Sequence, residues 1–189
     1  VDPFSYVSLI TSIVAGLGIT RLMAGFGRLL QSRHQVRFYW VHFVWLLNVL
    51  IYILLNWWVL YRWRVQPTWT FYLFIFVLIA PGLLFLETVV LFPDELPAGA
   101  DMKAHYYSSH RLFFLLAGFI VLFDVLDTWL KGWAHFIAQG PQYFLVIGVL
   151  SSLCFVAAFT KNARYHAFFS IFFLVVLFVL IALNLSELT

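Results

Sequence analysis

Of the 189 residues, 64% are hydrophobic and only 10% are charged, against about 45–50% and about 25% in water-soluble domains. That balance excludes a soluble fold, and a formal charge of +3 with Lys and Arg scattered among the loops lacks the basic patch that a nucleic-acid partner requires. The chain reads as one all-α, polytopic integral membrane domain over residues 1–189, a bundle of six transmembrane helices with short loops and no separate soluble domain.

The opening VDPFSYVSLI carries neither Met nor a basic leader, which leaves the true start out of view. The first apolar stretch, about Phe4 to Gln31, has length to spare for a tilted crossing. Within it Ser8, Ser12, Gly16, Thr20 and Ala24 recur every fourth residue, with Gly18 and Gly25 beside them. Small residues so spaced let a second backbone come close, so this stripe is expected to be the packing centre of the bundle or of an oligomer. The glycines of GLGITRLMAGFG follow no strand and lie inside a hydrophobic span, which argues against a phosphate loop.

The second stretch, about Phe38 to Trp63, carries a polar line. His42, Trp45, Asn48, Tyr52 and Asn56 step by three, three, four and four, which holds them on one helix face. Asparagine in hydrocarbon needs a partner on another helix, so this face is expected to look into protein or water. The third stretch, about Thr68 to Phe92, contains Pro81 and Gly82, where a kink is expected because proline frees a backbone carbonyl. Glu87 lies five residues from the end of this stretch and Arg21 seven residues from Arg28. The two share a depth and are candidate ion-pair partners.

The loop PDELPAGADMKAH, with two prolines and mixed charge, is expected at the membrane surface. His105, its last residue, and His110 are five residues apart, a spacing that turns a helix by about 500° and separates the rings. No metal site, catalytic residue or cofactor is predicted. The fourth stretch, about Tyr107 to Lys131, ends in LFDVLDTWLKGW. Its two acids, Asp124 and Asp127, are expensive in hydrocarbon. An outer polar cluster of Ser8, Thr11, Ser12, Asn56 and Asn184, with Arg62 reaching inward, is expected around them in place of one dedicated cation. Asp124 is expected to point into the bundle and Asp127 to lie nearer the mouth. The last stretches run from about Pro141 to Thr160 and Ala163 to Ser186, and the lone Cys154 among them reads as a small packing residue.

Arg28, Arg33, Arg37, Lys103, Arg111, Lys161 and Arg164 gather at the first, third and fifth loops, against Arg62, Arg64 and Lys131 on the other side. The positive-inside rule then places both termini outside a bacterial-type inner or plasma membrane. Trp57, Trp58, Trp63, Trp69, Trp129 and Trp133 read as one interfacial belt, and Tyr39, Trp40, Tyr106, Tyr107 and Tyr165 as the other. Arg21, Asn48, Asn56, Glu87, Asp124 and Asp127 form the expected polar interior. The leading expectation for function is an oligomeric subunit whose interior conducts or gates a proton or small ion, with membrane lipids and copies of itself or other membrane subunits as partners. The alternatives are an accessory or scaffold subunit of a larger complex, and an intramembrane enzyme acting on a lipid or quinone.

Overall fold

The computed structural model describes residues 2–93, 97 and 99–184, with the side chain of Asn184 excepted. Its helices are α1 (Pro3–Gln31), α2 (Trp40–Val59), α3 (Phe71–Leu91), α4 (Met102–Leu130), α5 (Trp133–Ala138), α6 (Gly140–Phe159) and α7 (Ala163–Asn184), and a 3₁₀ turn, Leu60–Val65, extends α2. Among the described residues there is no β-strand, and six of the helical stretches, with mean hydropathy from 1.7 to 2.8, are long and apolar enough to cross a membrane. The chain is an all-α membrane bundle. The expected end of the last span at Ser186 and part of the 93–105 loop lie outside the described residues.

Local chemistry sets the helix ends. The Asp2 carboxylate accepts from the Ser5 N–H at 3.3 Å, with Pro3 opening α1. Asp101 accepts from the N–H groups of Lys103 and Ala104 at 2.8 and 3.2 Å. This cap starts α4 at Met102, five residues before the expected Tyr107. The six-residue α5 is bracketed by Gly132 and Gly140, whose φ angles of 123° and 71° suit residues without a Cβ. α3 continues as helix through Pro81, and the carbonyl that proline leaves without its usual donor belongs to Val77.

The face of α1 buried in this chain is Val7, Thr11, Ala15, Gly18, Leu22, Gly25 and Leu29, not the small-residue stripe. The reason is geometric: a strict four-residue repeat rotates by about 40° per step, so Ser8 and Ala24 lie about 160° apart, whereas alternating steps of four and three stay on one side. Thr20 and Ala24 are exposed. α1 packs on α3, and Gly25 is needed there, since a Cβ would meet the Phe92 ring at 2.5 Å.

The most extensive helix contact is α4 with α6, which buries Ala117 and Gly118 on one helix and Ser151, Cys154 and Ala157 on the other. A Cβ at Gly118 would lie 3.0 Å from the Phe155 ring, which is small-residue packing between neighbouring backbones. One half of the bundle is closed by aromatic packing. Trp45 sits among Phe113, Phe114, Phe169 and Phe173, with ring centroids 5.0–5.4 Å away. At the same end the first and third loops are joined by backbone bonds, Arg37 N–H to Ala100 at 2.9 Å and Met102 N–H to Arg37 at 3.1 Å. That end is called the odd-loop end below, and the opposite one the even-loop end.

Candidate functional site

Toward the even-loop end α6 stays on α4 while α7 stays on α2. Between the two pairs lies a cavity of about 230 Å³. Its rim carries Asn56, Asp124, Thr128, Lys131, His135 and Tyr143, and its deeper wall is formed by Leu150, Phe173 and Leu177. A second cavity, about 30 Å³, lies between α2, α3 and α4 and touches both Asp124 and Asp127.

The aspartates have partners from neighbouring elements. Tyr143 on α6 donates its hydroxyl to Asp124 Oδ2 at 2.6 Å and stands 3.0 Å from the Thr128 hydroxyl. Asp127 accepts from the Trp63 indole N–H at 3.0 Å and pairs with the Lys131 ammonium one turn along α4. The side chains of Lys131 and Asp127 are 8% and 19% exposed. Asp127 therefore has the dedicated cation that was not expected, because the i, i+4 spacing brings Lys131 back over it. Ser8, Thr11 and Ser12 do not join the cluster. Their hydroxyls bond to carbonyls of their own helix at 2.6–3.0 Å, a local alternative open to any helical Ser or Thr. Asn184, expected in the same cluster, has its side chain outside the described residues. Trp63 and Tyr106, expected in the belts, are buried within the bundle; the first serves Asp127 and the second reaches His166.

The polar line on α2 faces the interior as its periodicity requires, with His42, Trp45 and Asn48 fully buried and Tyr52 and Asn56 half-buried. Tyr52 borders all three cavities. The innermost of these, about 10 Å³, is lined by Asn48, Tyr52 and Glu87 with Trp45, Ala117 and Phe173, which is room for about one water molecule. Asn48 donates to the Ser170 carbonyl at 2.9 Å, and its Oδ1 has no hydrogen-bond partner among the described residues. Glu87 is 3% exposed and makes no ion pair with any described residue. Arg21 and Glu87 are not brought together: Glu87 faces α2 and α4, whereas α1 meets α3 through Phe85 and Thr88 beside Gly18. Depth matched, but the direction around the helix did not.

Beyond Glu87, toward the odd-loop end, lies a histidine and tyrosine cluster. Neither ring nitrogen of His42 has a hydrogen-bond partner among the described residues, and its ring lies edge-on to Phe92 at 5.1 Å and to His105 at 6.1 Å. His166 is fully bonded, Nε2 to the Thr160 carbonyl and Nδ1 to the Tyr106 hydroxyl, each at 2.9 Å. A carbonyl only accepts, so Nε2 carries the hydrogen and Nδ1 accepts from Tyr106. At the rim of the large cavity, His135 in α5 accepts from the Gln139 amide at 3.3 Å. Burial, then the positive charges of Lys131 and Arg62, lower its pKa below the usual histidine value.

Tyr143, Thr128 and Trp63 are site residues that sequence reasoning missed. Tyr143 lies 19 residues from Asp124 across a loop with its own helix, and nothing in local spacing announces that pairing. Comparison with models of protein families, with curated proteins and with solved structures finds no match to this chain.

Proposed function

We propose that this chain is a membrane subunit that passes a proton between the cavity at the even-loop end and the buried carboxyl of Glu87. The observation that carries the proposal is the position of Tyr52, whose side chain is a wall of both the large cavity and the small one at Glu87. Glu87 has no ion pair with any described residue, and a carboxylate in a dry interior without a counter-charge is costly by several kcal/mol or more, so such a group exchanges a proton with whatever water or base reaches it. Tyr52 and the single-water cavity supply that contact, with Asp124 as the acid at the rim. His42, about 9 Å further along α2 from Asn48, continues the line toward the odd-loop end with two ring nitrogens that no described residue hydrogen-bonds.

The charge bias of the loops supports an orientation with the large cavity and both termini outside the cytoplasm of a plasma or bacterial inner membrane. The exposed flank of α1, where Thr20 and Ala24 face outward and nothing lies within 4 Å of a Cβ added at Gly16, is the face offered to a second copy in an oligomer. Proton flux tests the function. Purified wild-type protein in liposomes with an imposed pH gradient is expected to dissipate that gradient faster than empty liposomes, and Glu87→Gln to abolish the difference while remaining folded. No flux above the empty-liposome baseline, or full flux in Glu87→Gln, overturns the proposal.

A further inference from the structure

The 230 Å³ cavity is much larger than a proton path needs, and its two sides differ in chemistry. An apolar cavity of about 150 Å³ already admits benzene, so the volume is that of an organic molecule. α4 and α5 line one side with Asp124, Thr128, Lys131 and His135, whereas α7 lines the opposite side with Phe173, Leu177 and Leu180 alone. Such a gradient, inside the span of a membrane helix, fits a molecule with a polar head and an apolar tail.

The hydrogen-bonding groups narrow the head. At the rim Lys131 is already matched by Asp127, and Tyr143 by Asp124. Asp124 accepts only that one hydrogen bond from the described residues, and the Asn56 amide makes none to any of them. The capacity left over includes one oxygen of the Asp124 carboxylate and the Asn56 amide, which both donates and accepts, with the Gln142 amide on the same wall. An anionic head would face Asp124 as well as the rim's cations, whereas a hydroxyl donates to the Asp124 carboxylate and an ester carbonyl accepts from Asn56 Nδ2.

We infer that the cavity binds a neutral lipid with a free hydroxyl, the chemistry of a diacylglycerol, its head at Asn56 and Asp124 and one chain along Leu177 and Leu180. Binding does not depend on proton transfer, so it stands or falls separately from the proposed function.

The test is thermal unfolding of the protein in phosphatidylcholine nanodiscs, titrated with dioctanoylglycerol or with dioctanoyl phosphatidic acid, which has the same tails and an anionic head. Dioctanoylglycerol is expected to raise the wild-type Tm saturably, and phosphatidic acid not to. Leu180→Trp, which fills the half-buried side of the cavity, is expected to remove the response. Asn56→Leu, which deletes only the amide, is expected to weaken binding by up to about tenfold, the worth of one net hydrogen bond. No saturable shift with dioctanoylglycerol, an undiminished shift in both variants, or a larger shift with phosphatidic acid overturns the inference. Far-ultraviolet circular dichroism of each variant establishes that it is folded before the titration is read, and Asn56→Leu carries the test should Leu180→Trp not fold.

Discussion

Replacing Asp127 with Asn separates charge from shape at the best-defined ionic contact in the bundle. The amide keeps an oxygen where Asp127 accepts from Trp63 at 3.0 Å, so the loss reports the ion pair with Lys131. Removing one member of a buried pair costs about 3–5 kcal/mol, and an exposed pair is worth about 0.2–1 kcal/mol. With exposures of 8% for Lys131 and 19% for Asp127, the expected loss lies nearer the buried limit, about 2–3 kcal/mol. At about 2–4 °C per kcal/mol for a chain of this size, that is a fall of about 4–12 °C in Tm. Lys131→Met alone should be destabilising too, because it strands the carboxylate. The double variant should recover much of the loss, with a coupling of about 2 kcal/mol in the cycle. Thermal unfolding of all four proteins in one mild detergent reads the cycle. A fall under about 0.5 kcal/mol for Asp127→Asn, or a double variant as unstable as the sum of the singles, contradicts a stabilising pair at this site.

Gly25→Ala is expected to cost about 1–3 kcal/mol by overpacking against the buried Phe92 ring, whereas Gly16→Ala, with nothing within 4 Å, gains up to about 1 kcal/mol of helix propensity in the isolated protomer. Thermal unfolding compares the two, and light scattering on Gly16→Ala shows whether the same substitution breaks an oligomer built on that flank. His135 makes stability depend on pH with a definite sign. Its folded pKa is lowered by burial and by Lys131 and Arg62, so the unfolded chain binds the extra proton and stability falls as pH drops through the ordinary histidine range. The Tm of His135→Gln is expected to lose that part of the pH dependence; a wild-type slope of the opposite sign in this window, or one unchanged in the variant, contradicts the assignment.

Hydropathy made the six helices legible because each crossing needs a long apolar run. The inward face of α2 was legible because steps of three and four from His42 to Asn56 fix a direction on a helix. The α1 stripe is not the face that packs within this chain, because a pure repeat of four winds off that face, and the α4–α6 contact went unread because Ser151, Cys154 and Ala157 carry the same small-residue signal at a less conspicuous spacing. Depth alone paired Arg21 with Glu87, but the angle around α3 turns Glu87 toward α2 and α4. Asp124 was recognised as a costly acid, and its partner was not, because Tyr143 reaches it from another helix beyond α5. Aromatic residues near span ends read as belts, yet Trp63 and Tyr106 turn inward to hydrogen-bond an aspartate and a histidine.

Proton exchange at Glu87 is tested most directly by infrared spectroscopy of the membrane-embedded protein. The Glu87 carboxyl band is isolated as the difference between wild type and Glu87→Gln, and it is followed after transfer to D₂O. Contact through Tyr52 with the large cavity predicts a prompt isotope shift of that band while the amides of the surrounding helices remain protonated. A Glu87 band that shifts only when those core amides exchange would contradict a proton route from the cavity.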